Sequence, residues 1–386
     1  MSEKIKLGEL GEVVSGSTPK TNIKDYWDGE ILWITPAEIQ EDDYYIADTQ
    51  RKITNLAVEK TNLKLLPKGT VLLSSRAPIG KVAICDNDMY CNQGFKNIIC
   101  SDRLENRYVY YFLKYNVEYI KSLGRGATFK EISKGIVENL EIPYIEKKEQ
   151  IEIANKLDKI TEILKIKKQQ IKQFDEIIKS QFVEMFGNVN DNKNSYEIKT
   201  LGEVFEFIKD GTHSTPTYTD DKINGIKFLS AKDVTNGIIN WENIKYIPLE
   251  LHEQLVKRVK PQKDDILLAK NGTTGVCAKV DRDEIFDIYV SLALLRPKEG
   301  YLVDYLVQAI NNDMTKEQFD RSLKGVGVPN LHLGEIQKVK IIVPPIELQN
   351  QFADIVKQID KQKFEIENSL KEMQELYEAL MERYFG

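Results

Sequence analysis

The side chains that could do chemistry in this 386-residue chain assemble into parts of several catalytic motifs and into none completely. Ser75-Arg76-Ala77-Pro78-Ile79-Gly80-Lys81 ends like a phosphate-cradling loop, but it lacks the opening Gly and the Ser or Thr after the Lys. Gly124-Arg125-Gly126 and Gly325-Val326-Gly327 are not followed by the third Gly of a dinucleotide-binding turn. The Pro-Pro pair in Val343-Pro344-Pro345-Ile346 has neither the preceding Asp or Asn nor the following aromatic residue expected of an amino-group methyltransferase. No Gly-x-Ser-x-Gly elbow supports a serine nucleophile. Cys85, Cys91, Cys100 and Cys277, with His213, His252 and His332, form no Cys-x-x-Cys or His-x-x-x-His pair, so no structural zinc or disulfide framework is expected.

What does recur is positive charge among small polar residues. Residues 65–81 carry Lys68, Arg76 and Lys81 without an acid, and 121–134 carry Lys121, Arg125, Lys130 and Lys134 against Glu131. Residues 257–279 hold six cations against Asp264 and Asp265, and 321–340 hold Arg321, Lys324, Lys338 and Lys340 against Glu335. Gly, Ser, Thr and Asn interleave these cations, a composition that brings backbone amides close to phosphates while Arg and Asn read base edges. The expected DNA contacts are Lys20, Arg76, Lys81, Arg125 and Lys130 in the first half of the chain, and Lys232, Lys270, Asn271, Lys324 and Asn330 in the second. No metal ligands are expected.

The elements that must hold these loops occur twice. Leu72-Leu73-Ser74-Ser75 and Leu267-Leu268-Ala269-Lys270 lie 195 residues apart, an offset shared by Gly80 with Gly275 and by Ile31 with Ile226. LGEVVSGSTP from Leu10 matches LGEVFEFIKDGTHSTP from Leu201, and each half closes on Phe-Gly, at Phe186-Gly187 and Phe385-Gly386. A long period in two copies is an internal pseudo-dimer, not a solenoid. In each copy a stretch of short β-type runs such as 69–73 and 81–84 precedes a helical stretch, with Tyr108 to Tyr119 predicted as one helix that puts Tyr111, Phe112 and Tyr115 on one face.

The helical stretches carry a coiled-coil seam. In the first it is Ile153, Leu157, Ile160, Leu164, Ile171, Phe174, Ile178 and Met185, with Lys167 and Gln181 completing the 4,3 alternation over about 50 Å. At an offset of 199 the second repeats it at Phe352, Val356, Ile359, Lys363, Ile366, Leu370, Met373, Tyr377, Leu380 and Tyr384. The expected fold is α+β: two mixed α/β globular domains (1–146 and 188–346) joined by two long antiparallel coiled-coil helices (147–187 and 347–386) in a pseudo-twofold repeat. Such a spacer would carry one domain near each end, suited to two DNA segments roughly 34–36 Å apart. The Asn-rich run from Asn188 to Asn194 separates the first helix from the second domain.

Composition sets the outer bounds. With 54 basic and 60 acidic residues the formal charge is -6, which excludes wholesale coating of nucleic acid but not local basic patches. No apolar run reaches the roughly 18 residues of a membrane span, and MSEKIKLGEL has no secretory h-region, so no membrane partner and a cytoplasmic location are expected.

In the order and duplication of these motifs the chain resembles the specificity subunit of type I restriction-modification systems. The resemblance rests on LGEV near the start of each half, on Leu-Leu-x-x-Arg/Asn-x-x-x-Gly at Leu72–Gly80 and Leu267–Gly275, and on Ile142-Pro143 and Val343-Pro344-Pro345 before the helices. It also rests on Glu149-Gln150-Ile151 at the first helix start, with Asn350-Gln351-Phe352 taken as its second copy. It implies two target-recognition domains, a non-catalytic role, and an asymmetric bipartite double-stranded DNA site. It further implies two methyltransferase and two restriction subunits as partners, which would hold S-adenosylmethionine, ATP and Mg²⁺, leaving this chain without a cofactor. From residues alone, two other readings stay open: an enzyme with an unrecognised site, and a coiled-coil scaffold joining protein ligands without DNA readout.

Overall fold

The strand Lys4–Lys6 pairs antiparallel with Glu141–Pro143, and Glu197–Thr200 pairs in the same way with Lys340–Val343. Each globular part, or head, is therefore closed by its own first and last strands just before a long helix leaves it. The computed structural model describes residues 3–126, 130–192, 194–235, 237–323 and 330–386. The chain divides into two units: residues 1–168 with 368–386, and residues 169–367.

In the first unit one sheet runs in the order Gly11–Ser15, Lys96–Cys100, Val71–Leu73, Val82–Cys85, Tyr45–Ile46, and a second runs Lys52–Ile53, Trp27–Ile34, Tyr90–Cys91. The second unit repeats the first four strands of one order and all three of the other: Phe205–Asp210, Leu292–Pro297, Ile266–Ala269, Cys277–Lys279, then Lys245–Ile247, Ile226–Leu229, Phe286–Ile288. Pairing sense repeats as well. Trp27–Ile34 runs parallel to Tyr90–Cys91 and Ile226–Leu229 parallel to Phe286–Ile288, while the other neighbour of each is antiparallel. The central strands Val71–Leu73 and Ile266–Ala269 are buried at every residue, as a continuous apolar run requires.

The helix expected over 108–119 is two helices, Asn106–Tyr115 and Val117–Ser122. Asn116 ends the first because its backbone leaves the helical region at φ -90°, ψ 15°; its N still makes the i→i-4 bond to the Phe112 carbonyl, and its side-chain Nδ2 adds a second bond to the same oxygen. Burial follows Tyr108–Leu113 and Ile120, and Tyr115 is exposed, so no single face of tyrosines exists. The second unit places a break at the matching point, between Val303–Asn311 and Asp313–Arg321, where Asn312 caps the following helix through Met314 N.

The long helices are Lys147–Phe186 and Ile346–Phe385. Each contributes one end to each unit. In the first unit Ile153 and Leu157 join the head core together with Met381 and Phe385, and Phe385 lies 5.0 Å from Tyr108. In the second, Ile178, Phe182 and Phe186 join Phe352 and Val356 against Tyr305, with Phe352 5.4 Å from Phe186 and 5.5 Å from Phe182. Lys363 Nζ meets Asp175 Oδ1 at 2.6 Å, so numbers rise on one helix as they fall on the other: the segments in this unit are antiparallel. Each fully buried Phe of these knots stabilises by about 1.5–3 kcal/mol.

Of the seam positions, Ile153, Leu157, Ile160, Leu164, Ile178 and Val356 are buried, and Ile171, Phe174, Ile359, Ile366, Leu370, Met373 and Leu380 are partly buried. A buried glutamine staples each helix start to its head. Gln150 accepts from Glu105 N and donates to the Arg103 and Ile145 carbonyls, and Gln349 accepts from Leu302 N and donates to the Pro344 carbonyl. The counterpart of Gln150 is thus Gln349, not Gln351 as the sequence comparison had it. Gln351 is exposed, whereas these bonds need an amide turned into the head.

Candidate nucleic-acid interface

The basic loops follow the buried central strands, and matching backbone bonds fix which residues correspond. Ile132 N donates to Ser75 O and Leu331 N to Lys270 O. Ser75 and Lys270 are therefore equivalent, as are Arg76 with Asn271 and Glu131 with Asn330. The seats beneath them carry opposite signs.

In the first head the buried cation is Lys96, whose Nζ lies 3.3 Å from Glu131 Oε1, with Arg76 NH1 3.9 Å from the other oxygen. Arg125 and Glu131 exchange backbone bonds of 3.0 Å, and the neighbouring Lys130 is exposed. Arg125 and Glu131 line a cleft of about 420 Å³ with Ser133 and Asn139. Lys20 is exposed, its carbonyl held by Trp27 Nε1, while Trp33 Nε1 holds Ser17 O. Lys81 is placed differently from the expectation. Its ammonium donates to the Pro36 and Ile39 carbonyls at 2.9 and 2.6 Å, because a half-buried ammonium must find acceptors, and so it anchors a neighbouring loop.

In the second head the buried charge is Asp210, at the end of Phe205–Asp210 and 4% exposed. Lys270 Nζ donates to its Oδ2 at 2.8 Å and Arg258 NH2 to its Oδ1 at 2.6 Å, and His213 Nε2 lies 3.2 Å from Oδ2. Burial pushes the Asp210 carboxyl upward, but the bond and charge of Lys270, with His213, outweigh it and hold the group below its ordinary value. Lys270 is only 5% exposed, and its ammonium neutralises Asp210 inside the head instead of facing solvent.

Lys232 and Asn271 line one cavity of about 390 Å³ with Tyr218, Lys245 and Tyr289. Lys245 Nζ stands 4.0 Å over the Tyr218 ring, a cation held on an aromatic face. Asn271 pairs with Asn330, whose buried Oδ1 has no hydrogen-bond partner among the described residues. Lys324 lies outside the described residues. The sequence reading missed Glu131, Asp210, Tyr218, Lys245 and Arg258. Asp210 is far from Lys270 in the chain and carried no local signal, Arg258 was one cation of the basic stretch 257–279 and not singled out within it, and Tyr218 and Lys245 sit on edges that only the sheet pairing brings together.

The type I restriction-modification DNA specificity domain matches this chain twice, over residues 2–174 and 193–376. The specificity subunit of the type I restriction enzyme MjaIX from Methanocaldococcus jannaschii is 30% identical over 97% of this chain and 90% of its own length. A type I restriction-modification S subunit from M. genitalium shares the fold at TM-score 0.57 and 20% identity, covering 100% of this chain and 96% of that one. A chain from a type I R-M system, solved to explain complex assembly and conformational transition, does so at TM-score 0.62 and 17% identity, covering 99% and 97%. No described helix is long and apolar enough to cross a membrane. With two matched specificity domains, one per head, and a relative aligned over nearly its whole length, this chain belongs to the type I restriction-modification DNA specificity family.

Proposed function

We propose that the chain selects an asymmetric bipartite site on double-stranded DNA, one half-site per head, and presents it to methyltransferase and restriction subunits, two of each. The observation that carries this is the pair of heads with one strand order but different polar groups at equivalent loop positions: Arg76 and Glu131 in one, Asn271 and Asn330 in the other. Equal scaffolds with unlike reading edges suit two unlike half-sites. The proposed contacts are Lys20, Arg76, Arg125 and Lys130 for the first and Lys232, Asn271, Lys324 and Asn330 for the second, with Lys and Arg supplying the phosphate attraction. S-adenosylmethionine, ATP and Mg²⁺ belong on the partner subunits in this reading, and the chain itself turns nothing over.

The test is to co-express the chain with a methyltransferase subunit of a type I system and map adenine methylation across the host genome. A two-part, non-palindromic motif is expected, and replacing the 74–81 and 124–131 loops should change one half of it. A continuous motif, or both halves changing together, contradicts the reading, and no methylation with DNA left unbound favours the scaffold.

A further inference from the structure

We propose that Arg258, aimed by the buried carboxylate of Asp210, is a phosphate clamp for the half-site read by the second head, an inference that rests on the function proposed above. Asp210 faces Lys270 and Arg258 at once, so the cluster keeps a net positive charge even with His213 neutral. Lys270 is enclosed, whereas the Arg258 side chain is 54% exposed with one NH2 bond fixed inward. A guanidinium has five donors, so the rest of the fork is presented to solvent in a set orientation.

Its surroundings reinforce that field. Two acids that follow it in the chain are matched elsewhere: Asp265 holds Arg296 through two bonds of 2.8 Å, and Asp264 lies 3.2 Å from Lys279. Among the described residues no carboxylate oxygen lies within 4.0 Å of the ammonium groups of Lys257, Lys260 or Lys263, all of them exposed. Arg258 thus sits in a row of uncompensated cations, and it alone in that row is fixed by a buried anion. In the first head the strand position matching Asp210 is Ser15, which offers no carboxylate there. A preset, outward-facing guanidinium among free ammonium groups fits the phosphodiester backbone of duplex DNA, since it supplies position and charge without a base-reading partner.

The experiment uses the chain assembled with its methyltransferase subunits and measures affinity for the cognate duplex between 50 and 200 mM salt. For Arg258→Ala, loss of one phosphate contact lowers the slope of log affinity against log salt by about one. Across that fourfold rise in salt, the gap from wild type narrows about threefold to fourfold. The loss is uniform over variant half-sites, Arg258→Lys restores most of the slope, and the thermal midpoint of Arg258→Ala serves as the folding control. An unchanged slope overturns the clamp, and so does a loss confined to one base pair, which would make Arg258 a base reader. In both of those cases the function proposed above survives. A wild-type complex without any sequence-preferred binding overturns that function and the clamp with it.

Discussion

Asp158, on the first long helix, is the polar latch that holds the first head, and removing it should loosen that unit selectively. Its Oδ1 accepts from Tyr44 at 2.6 Å and Tyr111 at 2.7 Å, and its Oδ2 accepts from Arg107 NH1 at 2.7 Å. Burial, with the neighbouring carboxylate, pushes both hydroxyls well above the ordinary tyrosine range, so both remain donors through the alkaline range. In Asp158→Ala, Arg107 keeps Glu105 at 2.9 Å and Asn155 at 2.8 Å, so most of the loss falls on the two tyrosine bonds. At roughly 1.5 kcal/mol or more for each bond to a charged acceptor, the variant should lose about 3 kcal/mol. Tyr44→Phe alone should lose about half of that, and the double variant should show a coupling of about 1.5 kcal/mol. The tryptophans allow the unit to be watched by itself: Trp27 and Trp33 lie in the first unit and Trp241 in the second. In a Trp241→Phe background, fluorescence across a denaturant titration reports the first unit. A shift below about 0.5 kcal/mol for Asp158→Ala, or additive single losses, would refute the latch, since such values are those of an ordinary surface site.

Other consequences follow from the same geometry. A Cβ at Gly16 would sit 1.8 Å from Asn92 O, and one at Gly211 1.9 Å from Ile288 O, so Gly16→Ala and Gly211→Ala should each displace the following Ser-Thr-Pro segment. Methylation mapping is expected to degrade the corresponding half of the motif, and two intact halves would contradict that. Phe352→Ala empties the aromatic knot of the second unit and should cost about 3–5 kcal/mol, read as faster amide exchange in residues 301–311. Unaltered protection there would show that the knot does not hold the helix. Asp210→Asn should destabilise the second unit at neutral pH. Because the folded carboxyl titrates below its ordinary value, its contribution is present above about pH 4 and fades as pH falls through the lower folded value, so the two proteins should converge in acid. A gap that persists or widens in acid would mean that the carboxylate charge is not what stabilises.

How much of this was legible in the sequence depends on the distance over which each signal acts. Seam periodicity is local to a helix, and the strand runs and the 195-residue offset need only comparison of the chain with itself, so the two-headed fold could be read directly. Asn116 defeated the prediction of one helix because its backbone leaves the helical region at φ -90°, ψ 15°, and the apolar period carries no trace of that. The charged loops were legible as a class and not as individuals. Lys270 and Arg76 sit at neighbouring positions of the repeated pattern, yet one ammonium is drawn into the head by Asp210 while the guanidinium stays at the surface beside Glu131. Which cation reaches solvent depends on where the opposing buried charge lies, and the two heads place it on different strands with opposite sign: Lys96 in one, Asp210 in the other. Divergence under the loops therefore changes the reading surface as surely as divergence in them. A comparison of loop residues alone would then misassign half-site contacts wherever the underlying seat has exchanged its charge.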